Sequence, residues 1–228
     1  MQKVAFFDID GTVFRSSLLI ELVERLVDAH IFPISARSQY ITQYTAWRNR
    51  EGTYDAYIKA LVKVYVKHIA GVDQLSVVEL GHEVVAEHSK QVYRYTRDLI
   101  PTLKKRGYFV VAISQSPKEI LDDFCASYGF DKVYGRQYEV DEDTKTYTGT
   151  VLDEHLIQDK SNIFKRVFDR GDFDTTATVA VGDTEDDISM LALAQQPICF
   201  NPNNTLYQYA MRMGWKVVVE RKDVIYEL

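Results

Sequence analysis

Val4-Ala5-Phe6-Phe7 runs directly into Asp8-Ile9-Asp10-Gly11-Thr12. A short, continuous apolar run closed by a glycine turn reads as a strand buried on both faces, the kind that parallel sheets use. Three further runs have the same form: Tyr108 to Ile113, Thr178 to Val181 and Pro197 to Phe200. Each follows a stretch with helical spacing, over 93–106, 161–169 and 187–194, and Lys216-Val217-Val218-Val219 reads as a last strand. Strands alternating with helices predict an α/β fold: a doubly wound, Rossmann-like core with a parallel sheet.

One segment breaks the alternation. Between about residues 15 and 95 there is no strand pattern, while Leu18, Leu19, Leu22, Val23 and Leu26 recur at helical spacing, as do Tyr57, Leu61, Val64 and Tyr65. The expected organisation is a core over 1–14 and 96–228, with an inserted α-helical domain over 15–95. A smaller irregularity, Arg136 to Leu152, reads as a β-hairpin around the acidic turn Asp141-Glu142-Asp143. The aromatic cluster Tyr40, Tyr44, Trp47, Tyr54 and Tyr57 reads first as helix–helix packing and second as a pocket wall; Arg48 and Arg50 are weaker candidates for a second anionic group on a ligand.

Composition narrows the function. The 228 residues carry 27 Lys and Arg against 33 Asp and Glu, a formal charge of −6, which argues against a nucleic-acid partner. Hydrophobic residues at 46% are too many for a disordered chain. The first residues lack a signal-peptide core, and no window approaches the ~18 apolar residues of a membrane span. With only Cys125 and Cys199, there is no disulfide framework. The expectation is a cytoplasmic protein with no membrane partner.

Chemistry concentrates at predicted strand ends. Asp8 and Asp10 follow the first strand, Ser114 ends the second, Lys160 opens a helix, and Asp183 sits in Gly182-Asp183-Thr184-Glu185-Asp186-Asp187. Ligands of open α/β sheets bind outside the carboxyl ends of the strands, so the fold would gather these distant residues. Clustered carboxylates repel one another. A hard, oxygen-loving cation such as Mg²⁺ resolves this, and no Cys or His joins the set to suggest zinc. Carboxylates with one lysine and one serine hydroxyl suit phosphate chemistry: one Asp can attack phosphorus, and another two residues on can move the proton. Singly, each residue has an ordinary reading as a turn, a helix cap or a solvated side chain; together they do not. Other strings fail on spacing: His82-Glu83 lacks a histidine at 86, and the loop from Asp141 lacks the glycine and glutamate of a calcium loop.

The four motifs, Asp8-Ile9-Asp10-Gly11-Thr12, Ser114, Lys160 and Gly182-Asp183 with Asp187, stand in the order of the haloacid dehalogenase superfamily, which the sequence resembles. The long helical stretch after the first motif is similar to the cap of its phosphoserine-phosphatase-like branch, as are Asn201-Pro202-Asn203 and Gly214-Trp215. The resemblance implies a Mg²⁺-dependent phosphatase acting on a small phosphorylated metabolite. It makes Asp8 the nucleophile and a metal ligand. Asp10 becomes the general acid/base and a ligand through its carbonyl, and Asp183 the third ligand. Asp187 would hold a water or Lys160, Thr12 would orient Asp10, and Ser114, Lys160 and backbone amides near Ile9 and Gln115 would bind phosphate. There is one departure: phosphoserine phosphatases carry a cap glutamate where this chain has Ser17, and the nearest acid is Glu21. That argues against phosphoserine as the substrate. Two alternatives share the chemistry: a phosphotransferase of the same superfamily, and a phospho-accepting receiver-like domain. The second lacks a large helical insertion and has no acid/base two residues after its phosphorylated aspartate.

Overall fold

A computed structural model describes residues 1–228. In chain order, β1 (Gln2–Asp8) is followed by four helices, α1 (Leu18–Asp28), α2 (Ile41–Arg48), α3 (Tyr54–Ile69) and α4 (Gln74–His88). Then come α5 (Arg94–Lys105), β2 (Tyr108–Pro117), α6 (Lys118–Tyr128), β3 (Lys132–Val140) and β4 (Tyr147–Leu152). The chain continues through α7 (Glu154–Gln158), α8 (Lys160–Arg170), β5 (Phe173–Gly182), α9 (Ile188–Leu191), β6 (Gln196–Phe200), α10 (Asn204–Met213), β7 (Lys216–Arg221) and β8 (Val224–Glu227). No helix is long and apolar enough to cross a membrane.

The strands are ordered β4-β3-β2-β1-β5-β6-β7-β8. Pairing from β3 through β7 is parallel, and the terminal pairs β3–β4 and β7–β8 are antiparallel. The fold is thus the doubly wound α/β core that the alternation predicted. β1 lies between β2 and β5, and Val4 through Asp8 are all buried, which is why that run is continuously apolar. Phe6 stacks on Phe164 of α8 at 4.4 Å between centroids, within a cluster that includes Val111, Ile113, Ala180, Met190 and Leu206. Burying a side chain of that size contributes about 1.5–3 kcal/mol.

The chain divides into two compact units. One holds residues 1–17, 89–136 and 153–228; the other holds 18–88 together with 137–152. The sequence expectation left the hairpin with the core, whereas here it groups with the helices. The physical link is in the second unit itself: Gly71 N donates to Tyr147 O at 2.7 Å, Tyr147 N donates to Val72 O at 2.9 Å, and Tyr65 packs on Tyr138 at 5.0 Å. β3 also begins earlier than the hairpin reading had it. Its first residues pair in parallel with β2, and Gly135 lets α6 approach, since a Cβ there would lie 2.6 Å from Leu121 Cδ1.

Within the helical unit, α1 buries Leu18, Leu19, Leu22, Val23, Leu26 and Val27, the stripe seen in the sequence. The aromatic cluster packs on itself: Trp47 stacks on Tyr57 at 5.7 Å, and Tyr44 lies 5.3 Å from the same ring. α2 buries no residue fully, so these ring contacts are its main apolar attachment to α3.

Candidate active site

Asp8 is the last residue of β1 and is 5% exposed. Lys160, the first residue of α8, donates to Asp8 Oδ1 at 2.6 Å and to Asp187 Oδ1 at 2.5 Å. Lys160 is placed by the cap of its helix, where the Asp159 side chain accepts from Ser161 N at 2.9 Å. Asp187 closes the turn after β5. Its Oδ2 accepts from the backbone N–H of Asp183 at 2.9 Å and of Thr184 at 3.0 Å. One carboxylate oxygen each of Asp8, Asp183 and Asp187 lies within 4.8 Å of the others.

Two glycines make this convergence possible. A Cβ on Gly11 would stand 2.2 Å from Asp183 Oδ2, and one on Gly182 would stand 2.4 Å from Asp187 Cγ. Gly11 also has φ +85°, a region that costs other residues strain.

Asp10 faces different partners. Its Oδ2 accepts from Ser116 Oγ at 2.8 Å and from Ser114 Oγ, while Ser116 N donates back to Ser114 Oγ at 2.8 Å. Ser114 is thus engaged with the Asp10 carboxylate. Thr12, read from the sequence as orienting Asp10, donates instead to Asp183 Oδ1 at 3.3 Å. The reason is the turn at Gly11, which carries Thr12 away from its neighbour's carboxylate and into the wall of the acidic cluster.

Burial pushes the Asp8 carboxyl up to about 7, opposed by Lys160 and reinforced by Asp187 and Asp10. Burial raises Asp183 too, with Asp8 and Asp187 adding to it. For Lys160, burial acts against the charge, but Asp187 and Asp8 outweigh it and the ammonium is held. One lysine therefore faces three carboxyl groups, those of Asp8 and Asp187 buried and that of Asp183 partly so. Asp8 Oδ2 is buried with no hydrogen-bond partner. A carboxylate only accepts, so an orphaned buried oxygen beside Asp183 fits a cation ligand. Asp8 and Asp183 are the residues free to hold such an ion, because Asp187 spends both oxygens on Lys160 and on backbone amides.

The sequence model of the haloacid dehalogenase-like hydrolases matches residues 5–192. The chain belongs to the haloacid dehalogenase-like hydrolase family. It is an enzyme of the hydrolase class. Its curated relatives include the histidinol-phosphatase of Neisseria meningitidis serogroup C, 24% identical over 230 residues, covering 96% of this chain and 99% of that one. Among solved structures, a Bordetella pertussis protein of unknown function is 15% identical with a TM-score of 0.74, over 95% of this chain and 98% of that one. A phospho-aspartyl intermediate analogue of phosphoserine phosphatase is 21% identical with a TM-score of 0.63, over 97% and 95%. These two likenesses show a shared fold over 95% and 97% of the hydrolase.

Sequence reasoning passed over two site residues. Ser116 has the same alternation as Ser114 and could have been found from that spacing. Arg136 is 6% exposed and donates to Gln115 Oε1 at 3.1 Å; it lay at a hairpin boundary with nothing local to mark it as buried.

Proposed function

We propose that the enzyme is a Mg²⁺-dependent phosphatase of a small phosphomonoester that works through an aspartyl-phosphate on Asp8. The observation that carries this is the convergence of Asp8, Asp183, Asp187 and Lys160, with one Asp8 oxygen buried and unpartnered. In the first step an Asp8 oxygen attacks phosphorus and the ester P–O bond breaks. The leaving oxygen takes a proton from the Asp10 carboxylic acid and departs as the alcohol. In the second step Asp10 takes a proton from water, the water oxygen attacks phosphorus, and the bond to Asp8 breaks. Inorganic phosphate leaves with both aspartates restored. Ser114 and Ser116 hold the Asp10 carboxylate in place for these transfers, and Lys160 supplies positive charge beside the nucleophile. Mg²⁺, held by Asp8, Asp183 and the Asp10 carbonyl, would neutralise phosphoryl oxygens.

The relative named for histidinol phosphate and the fold shared with phosphoserine phosphatases point to phosphorylated small alcohols bearing an amino group as the first substrates to try. The test is phosphate release from an aryl phosphate and from a panel of phosphorylated amino acids, amino alcohols, sugars and nucleotides. Release is expected with Mg²⁺ and absent in chelator. Asp8→Asn is expected to lower kcat by about a thousandfold or more. Unchanged turnover in Asp8→Asn would remove Asp8 from its role.

A further inference from the structure

Gln115, the residue after the Ser114 that meets Asp10, forms a polar pair with Arg136. β1 pairs Asp8 with Ile113, and β3 pairs Arg136 with Pro117. The register of β2 on β3 shifts between Ile113 and Pro117, so the contacts of the side chains, rather than simple alternation, place them here. Ser114 and Ser116 both meet Asp10, while Gln115, between them, meets Arg136.

Arg136 is 6% exposed, and its Nε is buried without a hydrogen-bond partner. Nη2 donates to Gln115 Oε1 at 3.1 Å, and Nη1 stands 3.5 Å from Glu154 Oε1. A guanidinium has five N–H donors and no acceptor. Only the carbonyl end of an amide can face it, so Arg136 settles which way Gln115 turns: Oε1 toward the guanidinium, the NH₂ away from it. Gln115 is itself half-buried. The result is an oriented N–H donor near the end of β2, the strand paired with the one that carries the nucleophile, backed by a buried positive charge that polarises it.

We propose that the Gln115 side-chain amide donates to an anionic oxygen of the phosphoryl group, and that Arg136 is the positioning residue that points it there. This rests on the phosphatase reading above, and deepens it from backbone contacts near Gln115 to its side chain. A contact to the phosphoryl group is shared by every substrate and by the product, which makes inorganic phosphate the direct probe.

The experiment measures inhibition by inorganic phosphate in the Mg²⁺-loaded enzyme, with KM for two phosphomonoesters of unlike alcohols. Gln115→Met keeps the shape and removes the donor; it is expected to weaken phosphate inhibition by about tenfold or more and to raise both KM values by the same factor. Arg136→Met is expected to weaken it less, and to add nothing in the Gln115→Met background, because Arg136 acts through Gln115. Arg136→Lys, which still presents only donors to Oε1, is expected to restore most of the loss. Unchanged phosphate inhibition in Gln115→Met overturns the proposal, as does a KM rise confined to one ester, which would put the amide on the leaving group. An equal loss from Arg136→Met in both backgrounds overturns the positioning role; thermal melts and the half-exposed Gln115 variant separate this from misfolding. A wild-type enzyme that hydrolyses no ester, yet binds phosphate by calorimetry in a Gln115-dependent manner, would overturn the phosphatase reading and support this one.

Discussion

Gly11 and Gly107 have nearly the same positive φ, +85° and +82°, and differ in what surrounds them. A Cβ on Gly107 meets nothing within 4 Å, whereas one on Gly11 would collide with the Asp183 carboxylate. Gly107→Ala should therefore cost only the left-handed strain of an ordinary residue, about 1–2 kcal/mol of stability, and leave turnover intact. Gly11→Ala should carry the same strain and also displace Asp183, raising the Mg²⁺ concentration for half-maximal activity by about tenfold or more. A Mg²⁺ titration of both variants, with thermal melts, checks the contrast. Equal activities would mean that the cluster tolerates movement of Asp183.

At the level of the element, α8 owes its start to Asp159, and that start positions Lys160. Asp159→Ala should destabilise the protein by about 1 kcal/mol, read as a lower denaturant midpoint at unchanged slope. Hydrogen bonds from Ser189 and Ser161 hold the Asp159 carboxyl below its ordinary range. A depressed folded-state pKa contributes stability above the unfolded value, near 3.9, that is lost as pH falls through the folded value. The denaturant midpoints of wild type and Asp159→Ala should therefore draw together below about pH 4. The helix starts and buried strands of the core were legible because each leaves a local mark: apolar runs at 4–7, 108–113 and 178–181, and a polar cap before a helical stripe. α6 and the first half of β3 were not, because Lys132-Val133-Tyr134-Gly135-Arg136 is short and mixed, and its place in the sheet depends on pairing with distant β2. The site followed the same rule. Asp8, Asp183, Asp187 and Lys160 sit on motifs whose spacing is local, while the Thr12 contact to Asp183 and the burial of Arg136 exist only after the strands align.

For the molecule as a whole, the acidic cluster is a strain that the core must outweigh. Asp183 is half-buried among like charges, and Thr12 donates to it at a long 3.3 Å. Asp183→Asn should raise the melting temperature in chelator while abolishing turnover, because repulsion is relieved and the ion's ligand is lost. Mg²⁺ at a hundredfold excess over its Kd should stabilise wild type by about 2.7 kcal/mol and leave Asp183→Asn unmoved. Scanning calorimetry of the two proteins with and without Mg²⁺ gives the answer. A variant that melts lower than wild type in chelator would mean that the Asp183 carboxylate is better compensated than its surroundings indicate.

The central position of β1 has a further consequence, for biosynthesis. That strand is made before the rest of the sheet, yet one of its two hydrogen-bonding neighbours begins at Phe173. At roughly 5–20 residues per second, the nascent nucleophile strand waits on the order of ten to thirty seconds for that neighbour. During that delay its Val-Ala-Phe-Phe ribbon has an open flank, which makes the growing polypeptide a natural client for chaperones that shield apolar segments until translation ends.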